Sequence, residues 1–281
     1  MIPATFDYVA PESLEEAIGA LAQGGEDAKL LAGGHSLLPL MKLRLAVPTL
    51  LVDLRRVPNL AGIERSDGEF RVGAMTTHHQ VATGELGLAS AAAATIADQQ
   101  VRNRGTIGGS LAHGDTAADL PAVLLACEGE VTARGPNGQR TIAASELFQD
   151  YLTTALAPDE VLTEVRLPAM DSYGFAYEKF NRRHEDWAMA AVCALVKKAG
   201  DGSCEDVRIG LTHMGSTPLR ASAAEEALRG RGLDSDSIAR AAEQAPEGTE
   251  PPGDLNAPPD YKRHLGRVLC RRALEGAAGR A

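Results

Sequence analysis

The chain has 281 residues, 44% of them hydrophobic and 23% charged, which is enough material for a globular protein with a full core. Its formal net charge of −10 and its aromatic content of only 4% disfavour binding to a nucleic-acid backbone or to stacked bases. No apolar run reaches the ~20 residues of a membrane span. The N-terminus also lacks a basic segment followed by an apolar one, so we expect a cytoplasmic protein.

The cysteines and the paired histidines give no metal-binding pattern. The four cysteines lie far apart, without a Cys-x-x-Cys pair, at positions Cys127, Cys193, Cys204 and Cys270. This spacing predicts buried thiols in a reducing compartment rather than a zinc or iron–sulfur site. The adjacent His78 and His79 would point in different directions on a helix, so we expect exposed or capping residues there.

The first half of the chain reads as alternating helices and strands. Ser13 and Glu16 form the pattern of a capping box, and Gly24 and Gly25 end the helix that follows. Short apolar runs predict strands at residues 29–32, 50–54, 70–74 and 131–133. Helices are predicted after a cap at residues 76–77, over the alanine-rich residues 88–101, and over residues 121–127.

The second half of the chain favours strands first and helices afterwards. Strands are predicted at residues 160–168, 174–180, 188–196 and 207–212. Helices are predicted at residues 221–228, 235–244 and 261–277, with a proline-rich connector over residues 245–259. Strand–helix alternation followed by antiparallel strands predicts an α+β fold, with subdomain boundaries near residues 55 and 170.

A glycine pair follows the first apolar strand. Leu30 to Ala32 lead into Gly33 and Gly34, and the polar residues His35 and Ser36 come next. Two adjacent glycines lack the Cβ atoms that keep a ligand off the backbone, and they tolerate positive φ. Successive N–H groups in such a turn can form a concave nest for an anion. An ordinary strand-to-loop turn would have the same sequence.

A second glycine pair has the same pattern. It lies in the run Thr106-Ile107-Gly108-Gly109-Ser110, which is followed by small residues and by Asp115 and Asp119. Neither pair is a Walker loop, since no Gly-Lys-Ser/Thr follows, and neither matches Gly-x-Gly-x-x-Gly. Two separate phosphate-compatible turns indicate a ligand with two binding regions, such as a dinucleotide.

These motifs carry a family resemblance. The two glycine runs, Asp119, the run Tyr177-Glu178-Lys179 and the N-terminal Phe6-Asp7-Tyr8 resemble the FAD-binding medium subunits of the molybdenum hydroxylases, the xanthine dehydrogenase family. The likeness is greatest to the medium subunit of aerobic carbon monoxide dehydrogenase and covers essentially the whole chain.

The resemblance implies a domain organisation. An FAD-binding domain of the vanillyl-alcohol-oxidase (PCMH) type is expected over residues 1–170, with subdomains at about 1–55 and 56–170. A domain like the carbon monoxide dehydrogenase flavoprotein C-terminal domain, with a small antiparallel sheet and helices, is expected over residues 171–281.

The resemblance also assigns cofactor contacts to both glycine turns and to three later residues. Carried over residue by residue, they are Lys29, Leu30, Leu31, Ala32, Gly33, Gly34, His35, Ser36, Leu37, Thr106, Ile107, Gly108, Gly109, Ser110, Asp119, Leu162 and Lys179. In the family both turns hold the pyrophosphate through backbone N–H groups, and Asp119 would accept hydrogen bonds from sugar-like hydroxyls. Leu162 would pack on the flavin, and Lys179 would lie near its isoalloxazine ring. No catalytic residue and no metal ligand is expected of this chain.

The implied function is electron transfer within a larger enzyme. FAD in this chain would receive electrons from [2Fe-2S] clusters on a small subunit, which in turn receive them from a molybdenum cofactor on a large subunit. A dimer of such heterotrimers is expected, with no nucleic-acid partner and no transmembrane segment. The substrate of the complex (carbon monoxide, an aldehyde or an N-heterocycle) and the final acceptor stay open.

Several alternatives remain open at this point. Gly-Gly-His also occurs in stand-alone flavin oxidases in which the histidine, here His35, is bonded covalently to FAD. A non-redox dinucleotide-binding module would fit the twin turns as well. Asp119 could simply cap a helix, and Lys179 could belong to a solvated cluster of surface charges.

Overall fold

The computed structural model describes residues 2–281, and its first unit is a small parallel α/β sheet. The elements are β1 (Asp7–Val9), α1 (Leu14–Gly24), β2 (Ala28–Leu31), α2 (Leu37–Lys42) and β3 (Leu50–Asp53), with strand order β1-β3-β2. The Ser13 hydroxyl accepts the Glu16 N–H at 3.1 Å, and α1 ends at Gly25 with φ +62°. The predicted first helix and the strands predicted at residues 29–32 and 50–54 are therefore confirmed, whereas β1 and α2 were not predicted.

The second unit is a five-stranded antiparallel sheet with helices inserted between its strands. Its elements in chain order are β4 (Ile63–Ser66), β5 (Glu69–Gly73), α3 (His78–Thr83), α4 (Leu88–Ala93), α5 (Gln99–Arg102), α6 (Ile107–His113), α7 (Asp119–Ala126), β6 (Glu130–Gly135), β7 (Gly138–Ala143), α8 (Ala144–Leu147), β8 (Phe148–Asp150), β9 (Thr153–Thr154) and β10 (Val161–Pro168). The sheet order is β4-β5-β10-β6-β7, while β8 and β9 form a separate hairpin. The strands predicted here are confirmed.

The alanine-rich segment 88–101 differs from its prediction as one helix. It is divided into α4 and α5, because Ala97 has a left-handed backbone with φ +42°. Asp98 then caps a new helix by accepting the Val101 N–H at 2.8 Å. The Arg102 guanidinium satisfies the carbonyls of Ile96 and Ala97 that the break leaves free. Side-chain capping on both sides of the break thus outweighs the helix propensity of alanine.

The third unit is a four-stranded antiparallel sheet covered by helices. It comprises β11 (Gly174–Phe180), β12 (Ala190–Lys198), β13 (Cys204–Thr212), β14 (Leu219–Arg220), α9 (Ser222–Leu228), α10 (Ser235–Glu243) and α11 (Pro259–Ala278), with strand order β11-β12-β13-β14. The predicted strands and helices are confirmed within one to two residues at most ends, and β11 has the predicted bounds. No helix within residues 2–281 has the length and hydropathy to cross a bilayer.

The central strand β12 joins the second and third units. Cys193 and Leu195 point from one face into the core of the second unit, which contains α7. Val192, Ala194 and Val196 point from the other face into the core under α11. Because successive side chains of a strand alternate between faces, one fully buried strand serves both cores. All four cysteines are buried free thiols, as predicted.

Candidate functional site

The main cavity lies where the loops of the first unit meet those of the second. Its volume is about 670 Å³, within the range of small-molecule and cofactor sites. Every residue that the sequence analysis assigned to cofactor binding lines this cavity except Ile107, whose side chain is 2% exposed in the core of the second unit.

The two glycine runs approach each other across this cavity. A Cβ atom on Gly33 would lie 2.7 Å from the Cα of Gly105 and would collide with the carbonyl oxygen of Arg104. Only a residue without a side chain permits this backbone-to-backbone approach. The first turn is therefore held against the segment just before the second one.

Backbone N–H groups are free in the first turn. Within residues 2–281, none of the four N–H groups from Gly33 to Ser36 donates a hydrogen bond. Gly34 has φ +80°, a left-handed conformation that favours glycine. Consecutive free donors at a left-handed turn in a cavity wall are the arrangement that binds an anion.

The second turn does not supply the free donors that the sequence analysis expected there. It forms the N-terminus of α6, and its N–H groups from Ile107 to Ser110 are already paired within the protein. Ile107 donates to the Thr76 carbonyl at 3.0 Å, and Gly108 to the Ala74 carbonyl at 2.9 Å. The Gly109 N–H reaches the Thr106 hydroxyl at 3.1 Å. At Gly108 and Gly109 this turn therefore lines the cavity without side chains, and its N–H groups from Ile107 to Ser110 are not free donors.

A buried ion pair lies in the same cavity wall. The Lys179 ammonium is 3.0 Å from an Asp119 carboxylate oxygen, and the two side chains are 5% and 6% exposed. The Tyr177 hydroxyl donates to the other carboxylate oxygen at 2.6 Å, and Lys179 also donates to the Thr95 carbonyl at 3.3 Å. Asp119 is the first residue of α7, but its carboxylate accepts these two bonds instead of capping the helix. Asp119 is therefore not a helix cap, and Lys179 does not belong to a solvated cluster of surface charges.

Burial raises the pKa values of Asp119 and Tyr177. It raises the pKa of Asp119, while the charge and hydrogen bond of Lys179 and the hydrogen bond of Tyr177 oppose that shift. Burial, followed by the neighbouring Asp119, raises the pKa of Tyr177 well above its usual range. Tyr177 therefore stays protonated, and a hydrogen-bond donor, at neutral pH.

Leu162 reaches the cavity from an irregular point in the sheet. The pairing of β10 with β6 shifts register between Leu162 and Glu164, which is a β-bulge. A bulge bends the strand and redirects its side chains. Leu162 is 5% exposed and presents an apolar surface to the cavity.

Comparison with known protein families decides what kind of cavity this is. Residues 4–170 match the family described as the FAD binding domain in molybdopterin dehydrogenase. Residues 175–277 match the family described as the CO dehydrogenase flavoprotein C-terminal domain. The chain belongs to the FAD-binding medium subunits of the molybdenum hydroxylases.

Individual relatives agree with this membership over the full length. The chain is 42% identical to the 6-hydroxypseudooxynicotine dehydrogenase complex subunit alpha of Paenarthrobacter nicotinovorans, over 100% of this chain and 97% of the relative. It is also 42% identical to the carbon monoxide dehydrogenase medium chain of Hydrogenophaga pseudoflava, over 100% of this chain and 99% of the relative. A solved structure of carbon monoxide dehydrogenase from that organism, which lacks the Mo-pyranopterin moiety, superposes with a TM-score of 0.96 at 44% identity and covers all of both chains.

The cavity of this medium subunit suits FAD in both shape and chemistry. The free N–H groups of the first turn suit the negative charge of a diphosphate. Gly109 lines the cavity without a side chain, and a Cβ placed there would meet the Thr106 hydroxyl oxygen at 2.8 Å and the Ala32 Cβ at 3.4 Å. The apolar Leu162 and the polar Asp119–Lys179 pair offer the mixed surface that an isoalloxazine ring and its sugar-like chain require.

His78 is a residue of this medium subunit's cavity that the sequence analysis missed. His78 was expected to be exposed or capping, yet it is buried and lines the cavity, while His79 is exposed. The capping box formed by Thr77 and Gln80 fixes His78 as the first residue of α3. Its burial depends on a tertiary contact with Gly105, for which the local sequence carries no signal.

Proposed function

We propose that this chain is the electron-transfer subunit of a molybdenum-containing hydroxylase or dehydrogenase, with non-covalent FAD. The FAD would receive electrons from iron–sulfur clusters on a partner subunit and pass them to an external acceptor. The observation that carries the proposal is one cavity lined by free backbone donors on one side and a buried Lys179–Asp119 pair on the other.

Each wall of the cavity has its own task in this proposal. The N–H groups from Gly33 to Ser36 hold the diphosphate. Because Gly109 has no side chain, the cofactor can lie close to the second turn. When bound, FAD supplies the ability to accept electrons singly and to release them in pairs. The protein contributes binding, orientation and electrostatics.

The Lys179–Asp119 pair is the electrostatic part of the site. A buried ammonium stabilises negative charge near it far more than an exposed one, because the surrounding dielectric is low. Asp119 compensates most of that charge while the flavin ring is uncharged, so the ammonium is not an isolated buried cation. Tyr177 and the Thr95 carbonyl fix the two partners in place.

Partner subunits complete the proposal. The relatives are, by their names, a subunit alpha of a complex and a medium chain. We propose an iron–sulfur small subunit and a molybdenum large subunit as the partners, assembled as a dimer of heterotrimers. Two relatives are each 42% identical to this chain, and their names refer to different substrates, 6-hydroxypseudooxynicotine and carbon monoxide. Sequence identity therefore does not indicate which substrate the complex uses.

The test is to express the chain alone and with both partners. We expect the isolated chain to bind FAD but to show no turnover of carbon monoxide, aldehydes or N-heterocycles with an artificial electron acceptor. Activity should appear when both partners are added. Substrate-dependent turnover by the chain alone would overturn the subunit proposal.

A self-contained oxidase with covalent FAD is the second candidate, favoured by the exposure of His35 in the cavity wall. Acid precipitation separates the two candidates. A yellow supernatant, with FAD rather than FMN identified by chromatography, supports non-covalent binding. Colour retained in the protein pellet supports the covalent oxidase.

A further inference from the structure

His78 is fixed where the two glycine turns meet. Its backbone N–H donates to the Gly105 carbonyl at 2.9 Å. Its ring occupies the space that a side chain at position 105 would need, since a Cβ there would lie 2.7 Å from the ring Cδ2 and 3.0 Å from Nε2. Gly33 packs against the same Gly105, so the imidazole, the first turn and the segment before the second turn form one contact.

The imidazole has no hydrogen-bond partner among residues 2–281, although His78 is only 6% exposed. The ring nitrogen Nδ1 is buried and has no hydrogen-bond partner. The other ring nitrogen, Nε2, makes no hydrogen bond either, but it is not buried in the same way. His78 lines the cavity. A buried polar group without a hydrogen-bond partner destabilises the folded state. Such a group in a folded protein calls for an explanation, and an apolar side chain would fill this space without that cost.

The ring is neutral at physiological pH. Burial lowers the pKa of His78 to about 4, and the nearby charges of His35 and Arg102 act in the same direction. A neutral imidazole has one N–H. Because Nδ1 has no acceptor, the proton is best placed on Nε2, from which it can reach an oxygen of a ligand in the cavity.

A neutral donor at this point complements the first turn. The N–H groups from Gly33 to Ser36 carry only partial charges, and Nε2–H adds one directed donor beside Gly105, the residue against which Gly33 packs. A hydrogen bond to an ionised oxygen is roughly twice as strong as one between neutral groups. An oxygen of a diphosphate can accept hydrogen bonds from both the His78 imidazole and the N–H groups of the first turn.

We infer that His78 is a cofactor-binding residue, whose Nε2–H donates a hydrogen bond to the diphosphate of FAD between the two glycine turns. This inference rests on the proposed function, since it needs FAD as the ligand of the cavity. It adds a side-chain donor to a diphosphate site that otherwise consists of backbone groups.

Two amide substitutions test the inference. In His78→Gln the amide nitrogen can reach the position of Nε2, whereas in His78→Asn it reaches only that of Nδ1. We expect FAD affinity of the apoprotein, measured by quenching of flavin fluorescence, to fall about tenfold in His78→Asn and His78→Phe. His78→Gln should stay within about threefold of the parent. Thermal unfolding of each apoprotein, alongside the exposed control His79→Phe, shows that the variants remain folded.

Titration with ADP identifies the half of the cofactor involved. ADP carries the diphosphate without the flavin, so its affinity should fall by the same factor as that of FAD in His78→Phe. FAD and ADP affinities within twofold of the parent in His78→Phe would overturn the inference, as would a loss confined to FAD. A parent chain that binds no FAD would instead overturn the proposed function itself.

Discussion

The two Gly-Gly turns look alike in sequence but differ in what their backbones offer. In the first, the four N–H groups from Gly33 to Ser36 are free within the described residues, and Gly34 is left-handed with φ +80°. In the second, the N–H groups from Ile107 to Ser110 are used within the protein, and Gly108 and Gly109 lie in the regular helix α6. The first turn therefore offers free hydrogen-bond donors to a ligand, whereas the second turn offers mainly glycine positions without side chains.

The difference shows that a glycine pair has at least three separable uses. Gly33 and Gly108 allow backbone segments to pack closely, Gly34 allows a left-handed turn, and Gly109 lines the cavity without a side chain. Each use fails in a different way when a side chain is added. Substitutions at these glycines can therefore separate folding from cofactor binding.

The largest effect is expected at the two packing glycines. In Gly33→Ala the added methyl would collide with the Arg104 carbonyl, and in Gly108→Ala it would lie 2.7 Å from the Ala74 carbonyl oxygen. Overpacking of this kind costs about 1–3 kcal/mol. We expect lower apoprotein stability in denaturant unfolding for both variants. Gly19→Ala, where no atom lies within 4 Å of the new Cβ, is the control and should not be destabilised. Unchanged stability in Gly33→Ala would contradict the contact between the turns.

The next effect is expected at the left-handed glycine. In Gly34→Val the positive φ is strained by about 1–2 kcal/mol, and the new side chain meets Leu38 at 3.0 Å. We expect both stability and FAD affinity to fall. Gly68→Val is the matched control, because Gly68 has φ +78°, no atom within 4 Å and no place in the cavity. It should lose similar stability but keep FAD affinity, and equal FAD loss in both variants would remove the special role of the first turn.

A smaller effect on folding, but a clear one on binding, is expected at Gly109. Its backbone is helical, and a Cβ would meet the Thr106 hydroxyl at 2.8 Å, which weakens a helix cap worth about 1 kcal/mol. We expect FAD affinity to fall progressively from Gly109→Ala to Gly109→Val while the apoprotein stays folded. Calorimetric titration measures this series. Parent-like affinity in Gly109→Val would show that the cofactor does not approach the second turn.

The last effect concerns pH and the His78 ring between the turns. The pKa of His78 is about 4 when the protein is folded and near 6.5 when it is unfolded, so the unfolded state binds more protons between these values. Apoprotein stability should therefore fall as the pH drops from about 6.5 towards 4. His78→Gln should show a weaker fall than the parent, as measured by denaturant unfolding at several pH values. His79→Gln, at an exposed site, should follow the parent, and identical curves for all three proteins would contradict a buried neutral His78.

Local patterns in the sequence predicted most of the fold. Strand β11 has its predicted bounds, and α1 begins at the predicted cap Ser13, because alternation and capping are properties of short segments. The break at Ala97 was missed, since it depends on Arg102 binding two carbonyls. The positions of the cavity residues followed from family likeness.

The chemistry of the site was harder to predict than its position. That the second turn is a capped helix with its N–H groups occupied depends on Thr76 and Ala74, which come from another loop. The Tyr177 bond to Asp119 and the burial of His78 against Gly105 likewise join residues that are distant in the sequence. Tertiary contacts of this kind leave no periodic signal along the chain.

Amide hydrogen exchange of the apoprotein and of the FAD-loaded chain tests the difference between the turns most directly. The free N–H groups from Gly33 to Ser36 should exchange quickly without cofactor and become strongly protected when FAD or ADP binds. The amides from Ile107 to Ser110 should already be protected in the apoprotein and should change little. If FAD binds stoichiometrically while the first turn still exchanges as in the apoprotein, the first turn does not hold the diphosphate, and the division of labour between the two turns is wrong.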